Sequence, residues 1–281
     1  MKMSNTISAS AFLVNESRSR RVDISKDIYA HLWTTDETHR LWNDFSEQVY
    51  PYDDIELGLR NRFYLHQLQS FIQSTKKPRC INIGAGFTSY PFLVDMPCTF
   101  MEVDLPHVMD FKQRNIHSFI KDRILPERDI RFIGVDLRKK TDHARLQHEV
   151  ASFVQNHPSI ILLEGISYYL ETSVLTDLLN MFSTLQNTGS VLVCDFWDPS
   201  VVSHPIFKKF IHYFDGRFGH KKTQYHLFDV DFLTSIKGYH IMEHTDIQQL
   251  EKQYLNTTIL NDYEKIIPEH YVVLKKEKTT R

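Results

Sequence analysis

The amino-acid sequence predicts an α/β fold built on a parallel sheet that helices cover on both faces. Short apolar segments recur along the chain, and segments with helical periodicity lie between them. Strands are expected near residues 80–84, 98–103, 130–135, 159–163 and 190–195, and helices at 105–120, 143–155 and 172–186. Such alternation requires parallel strands joined by right-handed crossovers. Further strands near 240–244 and 270–274, with helices near 229–236 and 247–255, are expected to close the sheet.

The first predicted strand runs into the turn Gly84-Ala85-Gly86, and the second ends at Asp104. Glycines let a ligand approach the backbone, and an acid after the second strand can accept hydrogen bonds from two ribose hydroxyls. A nucleoside ligand is therefore predicted. A dinucleotide-binding turn would carry a third glycine, which lets a helix N-terminus approach a pyrophosphate, and this chain has Ser89 there. S-adenosylmethionine has no phosphate and fits the turn better.

Acidic residues also follow the third and fourth predicted strands. Asp136 and Leu137 close the third strand, where a carboxylate can accept a hydrogen bond from the exocyclic amine of adenine while the Leu backbone faces the ring. Glu164 follows the four apolar residues 160–163. A carboxylate at the end of so apolar a strand needs a partner charge or a bound cation.

In these segments the chain resembles the leucine carboxyl methyltransferase family, whose bacterial members include O-methyltransferases of polyketide and other small-molecule pathways. The resembling segments are Gly84-Ala85-Gly86, Phe100–Pro106, Val135–Arg138, Glu164-Gly165 and Tyr169-Leu170, in family order within residues 79–195. The family usually continues the glycine turn with Asp-Thr-Arg, whereas this chain has Phe87-Thr88-Ser89-Tyr90. The resemblance implies a Rossmann-like, seven-stranded, mostly parallel sheet with a reversed last strand, a helical N-terminal cap and a helical insertion after strand five.

The resemblance also implies the residues that would bind S-adenosylmethionine, with S-adenosylhomocysteine as the product. They are Gly84, Ala85 and Gly86 beneath the methionine portion, Asp104 with its neighbour Leu105 at the ribose, Asp136 and Leu137 at the adenine, and Glu164 with Gly165 near the amino group. An arginine from the helix before strand one would bind the methionine carboxylate, with Arg62 the best match and Arg60 the fallback. A second basic residue would come from the N-terminal segment, where Lys26 is favoured over Arg21.

Several of these residues also have a structural interpretation. Asp104 precedes Leu105-Pro106 and could instead cap the following helix. Arg62 could be a solvated surface charge. Glu164 could belong to a structural ion pair.

The chain is expected to divide into an N-terminal helical cap, residues 1–75, and a methyltransferase domain, residues 76–281. Residues 1–20 are polar and are expected to be loosely held. The aromatic-rich insertion 197–228 is expected to lie over the sheet as a lid and, with the cap, to shape an acceptor pocket. The alternative is that both only cover the sheet. Predicted acceptor-binding residues are Tyr168, Tyr169, Phe207 and Tyr213.

Composition indicates a soluble enzyme. The 281 residues are 42% hydrophobic and 24% charged with a net charge of -2, which disfavours nucleic acid or an anionic membrane as partner, apart from a local patch at 220–222. No stretch approaches the roughly 18 apolar residues of a membrane helix, and no secretory core follows Met1. Cys80, Cys98 and Cys194 are expected to be reduced core thiols, which suits the cytoplasm, and the scattered histidines predict no metal site.

The function predicted is S-adenosylmethionine-dependent O-methylation of a small-molecule carboxylate or hydroxyl, in secondary metabolism. Alternatives are a protein C-terminal carboxyl methyltransferase, a nicotinamide-dependent oxidoreductase and a non-catalytic nucleoside-binding protein. A carboxylate acceptor is ionised at neutral pH and needs no base, whereas an alcohol needs one. His204, His212 and Tyr168 are candidates for that base by position alone. No catalytic residue is predicted, and the oligomeric state cannot be predicted from the sequence.

Overall fold

A computed structural model describes residues 9–218, 225–261 and 266–277 and contains one seven-stranded sheet. Its strands are β1 (Arg79–Ile83), β2 (Thr99–Asp104), β3 (Ile130–Gly134), β4 (Ser159–Leu163), β5 (Val191–Trp197), β6 (Tyr239–Asp246) and β7 (Glu269–Lys276). The spatial order is β3-β2-β1-β4-β5-β7-β6. β7 runs antiparallel to both neighbours, and β1 to β5 pair in parallel. The predicted Rossmann-like sheet with a reversed last strand is confirmed.

Helices lie on both faces of this sheet. They are α1 (Ala9–Arg20), α2 (Val22–Ser25), α3 (Asp36–Gln48), α4 (Asp53–Ser74), α5 (Pro106–Lys121), α6 (Lys140–Val154), α7 (Thr172–Leu185), α8 (Pro205–Phe218), α9 (Val230–Thr234) and α10 (Ile247–Tyr254). No helix in the described ranges has the length and apolar character needed to cross a membrane.

The central strands are apolar because both of their faces are covered. Every residue of β4 and β5 is buried. One face packs with α6 and α7, and the other packs with α4 and α10. A near-continuous apolar run is typical of parallel strands covered on both sides.

The N-terminal segment is packed, and the expectation that residues 1–20 are loosely held is wrong for residues 9–20. They form α1, in which Phe12 is 1% exposed and its ring centroid lies 4.8 Å from that of Phe87. The polar residues of α1 are buried with partners: Asn15 donates to the Ala30 carbonyl at 2.9 Å, and Glu16 accepts from Thr38 Oγ1 at 2.8 Å. Residues 1–8 lie outside the described residues. The predicted boundary between cap and domain stays a prediction.

A buried chain of hydrogen bonds joins α1, α3 and α4. Trp42 Nε1 donates to Ser17 Oγ at 2.9 Å, and the Ser17 hydroxyl donates to Asp53 Oδ2. Burial raises the pKa of Asp53 to about 6, although the hydrogen bond from Ser17 opposes that rise. The carboxylate therefore has a lower affinity for protons in the unfolded chain than in the folded protein.

This difference makes stability depend on pH. The contribution of Asp53 to the free energy of unfolding is full below about pH 4 and is lost as the pH rises to about 6. Asp53→Asn cannot ionise, so the stability of this variant relative to wild type should rise across that range and level off above it. The rise should not exceed about 3 kcal/mol, at about 1.4 kcal/mol per unit of pKa.

Urea unfolding at a series of pH values measures this difference. Asp110→Asn, at an exposed position of α5, is the control and should show no such rise. A difference for Asp53→Asn that stays flat, or falls with pH, would contradict the assignment.

Candidate functional site

A cavity of about 810 Å³ lies at the carboxyl ends of the parallel strands. Since β2 pairs on one side of β1 and β4 on the other, the strand order reverses at β1, which is where open α/β sheets bind ligands. Eleven predicted site residues line the cavity: Gly84, Ala85, Gly86, Asp104, Leu105, Asp136, Leu137, Glu164, Gly165, Tyr168 and Tyr169. Four do not: Lys26, Arg62, Phe207 and Tyr213.

The glycine turn after β1 has backbone conformations that glycine adopts readily. Gly84 and Gly86 have φ of 71° and 42°, in the left-handed region that disfavours side chains. A Cβ on Gly84 would lie 3.1 Å from Ile166. The turn therefore excludes larger residues on conformational and steric grounds.

A buried ion pair supports the turn from below. Lys112 on α5 lies 2.7 Å from Glu102 on β2, and its Nζ donates to the Ala85 carbonyl at 3.3 Å. Both side chains are at most 1% exposed. Lys112 thereby links the glycine turn to β2.

The carboxylate of Asp104 closes the turn. Its Oδ2 accepts from the Gly86 N–H at 2.8 Å, and its Oδ1 accepts from the Leu105 N–H at 2.6 Å. Burial raises the pKa of Asp104, while these two hydrogen bonds lower it. Leu105 is the N-cap of α5 and no side chain caps that helix, so the structure does not support capping as the role of Asp104.

Asp136 is held by a neighbouring arginine. Its carboxylate accepts two hydrogen bonds from Arg138, at 2.9 and 3.0 Å, and these lower its pKa. The Arg138 side chain is exposed, whereas that of Asp136 is largely buried. Asp136 therefore presents an ionised carboxylate at the cavity.

Glu164 has buried charged partners. Its Oε1 lies 3.3 Å from Arg60 Nε and 3.8 Å from Arg18 Nη1, and its Oε2 accepts from the Tyr90 hydroxyl at 2.5 Å. A Cβ on Gly165 would lie 3.0 Å from the Arg60 guanidinium, so the backbone packs directly on it. The predicted need of Glu164 for a partner is met by these two arginines.

Arg60, the predicted fallback to Arg62, lines the cavity, and so does Arg18. The favoured residues Arg62 and Lys26 do not line it. Two residues apart, Arg60 and Arg62 point to nearly opposite sides of α4. The Arg62 guanidinium lies 5.3 Å from the ring centroid of Tyr254, away from the cavity. Lys26 is exposed at the end of α2.

Four aromatic side chains form one side of the cavity, and we call them the aromatic wall: Tyr168, Tyr169, Phe214 and Tyr225. Behind them Trp197 stacks on Tyr168 with ring centroids 3.9 Å apart. Each ring of the wall packs on another aromatic ring.

Phe207 and Tyr213 lie in a second layer behind this wall. The Phe207 centroid is 5.4 Å from that of Trp197, and the Tyr213 hydroxyl donates to Asp44 at 2.8 Å. The aromatic content of the insertion predicted the wall, but α8 turns Phe214 rather than these two residues to the cavity. Part of the insertion, residues 219–224, lies outside the described residues, as does the basic patch at 220–222.

Histidines are distributed differently from the prediction. His204 is 2% exposed and His212 is exposed, and neither lines the cavity. His226, which the sequence did not single out, does line it. Its backbone N–H donates to the Tyr168 carbonyl at 2.8 Å.

Comparison with known proteins gives a family match. Residues 11–183 match the model of the leucine carboxyl methyltransferase family. A provisionally named S-adenosyl-L-methionine-dependent methyltransferase of Mycobacterium ulcerans is 26% identical over 144 residues, which is 50% of this chain and 43% of that protein. A similarly named protein of Mycobacterium bovis is 28% identical over 149 residues, 52% of this chain and 42% of that protein. The chain thus matches less than half the length of these relatives.

Solved structures share the fold. A DUF574 family protein of Streptomyces avermitilis has a TM-score of 0.59 at 11% identity, covering 95% of this chain and 97% of that one. Magnesium protoporphyrin IX methyltransferase of Synechocystis, solved with bound S-adenosylhomocysteine, has a TM-score of 0.51 at 10% identity, covering 86% of this chain and 95% of that one.

Proposed function

The chain belongs to the leucine carboxyl methyltransferase family, and from this we propose that it transfers a methyl group from S-adenosylmethionine to an oxygen of a small molecule. The oxygen belongs to a carboxylate or a hydroxyl, and secondary metabolism is the proposed setting. One observation carries the proposal: a single cavity is lined by the glycine turn, two nucleoside-directed carboxylates and a buried arginine pair.

The nucleoside would occupy the end of the cavity next to β2 and β3. Asp104 keeps lone pairs for the ribose hydroxyls beyond its two backbone hydrogen bonds. Asp136 is ionised and accepts hydrogen bonds, as the exocyclic amine of adenine requires. The Gly84 and Gly86 backbone leaves space for the sugar and the methionine chain.

The amino-acid end would lie at the arginine pair. Arg18 is 2% exposed, yet it lies 3.8 Å from both Asp27 and Glu164, and its Nε makes no hydrogen bond. A buried guanidinium with an unused donor is suited to a carboxylate ligand. Glu164 supplies the opposite charge for the ammonium group.

The chemistry is in-line attack of the acceptor oxygen on the sulfonium methyl. The sulfonium is already a good leaving group, so alignment and exclusion of water supply most of the catalysis. The aromatic wall suits an apolar acceptor and also favours the sulfonium cation. Because α1 and α8 enclose this end, a compact acceptor is favoured over a protein C-terminus.

Arg60 and Arg62 form a matched pair for testing the cofactor site. Arg60→Lys keeps the charge but loses the planar fork, so its dissociation constant for S-adenosylhomocysteine should rise about tenfold or more. Arg62→Lys should change it by less than about twofold, because that side chain lies on the other side of α4.

Isothermal calorimetry measures both constants, and circular dichroism checks that each variant is folded. Arg18→Lys provides a second test if Arg60→Lys does not fold. A larger effect of Arg62→Lys than of both other variants would contradict the assignment. Heat with NAD and none with S-adenosylhomocysteine would instead favour the oxidoreductase.

The acceptor end is tested by methyl transfer from radiolabelled S-adenosylmethionine to a panel of small phenols, alcohols and carboxylic acids. Tyr169→Ala should raise the KM of a converted acceptor about tenfold, since it removes a wall ring, and leave S-adenosylhomocysteine binding nearly unchanged. Val202→Ala, at an exposed position of the insertion, is the control. Equal effects of Tyr169→Ala on acceptor and cofactor would count against an acceptor pocket, and tight cofactor binding without any transfer would favour a non-catalytic protein.

A further inference from the structure

Resting on the proposed function, we propose that His226 is the general base of this site and that the acceptor is a phenolic hydroxyl. A phenolic hydroxyl, unlike a carboxylate, must lose a proton as it is methylated. The position of the imidazole, the contacts of the other charged groups and the aromatic wall support this proposal.

The backbone places His226 beside the aromatic wall of the cavity. Its N–H donates to the Tyr168 carbonyl at 2.8 Å, which attaches it to the loop that follows β4. In the same loop Ile166 packs against Gly84, and Gly165 packs on the Arg60 guanidinium. A ligand that bridges the glycine turn and Arg60 therefore lies along this loop, and His226 lines the cavity next to it.

The His226 imidazole is not engaged by other side chains in the described part of the structure. It is half-buried and makes no hydrogen bond or ion pair to any other described residue. Glu171 also lines the cavity without a charged partner, but it is exposed to solvent. Imidazole is the commonest general base in enzymes.

Each cation at the described part of the cavity lies within ion-pair distance of a protein carboxylate. The pairs are Arg18 with Asp27 and Glu164, Arg60 with Glu164 and Glu269, Arg138 with Asp136, and Lys140 with Asp177. A carboxylate acceptor would need a cation at the aromatic wall to offset its desolvation. Arg60 reaches the wall, where its Nη1 donates to the Tyr168 hydroxyl at 3.5 Å, but Glu164 and Glu269 already offset its charge, which favours an acceptor that arrives neutral.

The aromatic wall selects a flat acceptor. The Tyr169 and Tyr225 rings lie 5.5 Å apart by their centroids, at 49° to each other, and Phe214 continues the surface. Aromatic ligands gain from edge and offset contacts with such rings. A phenol has both the flat ring and a hydroxyl that stays protonated at neutral pH, since an ordinary phenolic pKa is about 10.

The step is balanced without another reagent. The O–H bond breaks and its proton passes to a ring nitrogen of His226, while the phenolic oxygen forms the O–CH₃ bond. The S–CH₃ bond breaks with its electron pair on sulfur, which leaves S-adenosylhomocysteine. The imidazolium then returns the proton to solvent.

Two phenols of different acidity test the inference: 4-methylphenol, which is protonated at neutral pH, and 4-nitrophenol, which ionises near neutral pH. His226→Ala should lower kcat for 4-methylphenol about 100-fold or more, within the range for loss of a general base. It should affect 4-nitrophenol far less, because that acceptor needs no base. Added imidazole should restore part of the lost rate, and the pH dependence of kcat should steepen toward high pH.

His212→Ala, at an exposed histidine of the same insertion, is the matched control and should leave both rates unchanged. Equal losses with both phenols, conversion of carboxylic acids alone, or no conversion of either phenol would overturn the inference. Calorimetry with S-adenosylhomocysteine separates these outcomes from failure of the proposed function, since cofactor binding should be normal in wild type and in both variants.

Discussion

The buried contact between Glu164 and the guanidinium groups of Arg60 and Arg18 determines how the N-terminal helices lie on the sheet. Glu164 directly follows β4, Arg60 belongs to α4 and Arg18 to α1. An unpaired charge at such depth costs several kcal/mol, so each element is constrained to bring its charge to the others. The cavity is the space left beside this contact, and its charged end follows from the same constraint.

The charges around Arg60 are not balanced one to one. Glu269 lies 3.4 Å from Arg60 Nη1, and Asp195 accepts from the Gly165 N–H at 2.8 Å. Burial raises the pKa of both carboxyl groups, and a neighbouring carboxylate raises each pKa further: Glu269 acts on Asp195, and Glu164 acts on Glu269. Several carboxyl groups can surround so few cations only if some of these carboxyl groups are protonated.

The sequence was sufficient for the sheet but not for every side chain of the site. The strands that lead to Gly84, Asp104 and Glu164 were predicted to be parallel. The carboxyl ends of parallel strands lie at the same edge of a sheet, so the sequence was enough to bring these three residues together. Arg60 and Arg62 could not be separated, because α4 buries most of its surface and its periodicity marks no single face. Arg18 was missed because it belongs to a polar segment, and the sequence alone indicates that such a segment is exposed. The partners that bury its polar residues lie far along the chain, as Thr38 does from Glu16. Phe214 could be told from Phe207 only by the orientation of α8.

The departure from the family pattern after Gly86 has a physical counterpart in α1. Phe87, which follows the glycine turn, is 1% exposed and stacks on Trp33 with centroids 4.9 Å apart. Ser89, in the same stretch, carries no charge and lies beside the buried carboxylate of Asp27. The positive charge next to Asp27 comes instead from Arg18, at 3.8 Å. Arg18 of α1 thus brings a positive charge to a part of the cavity that Phe87 and Thr88 leave neutral.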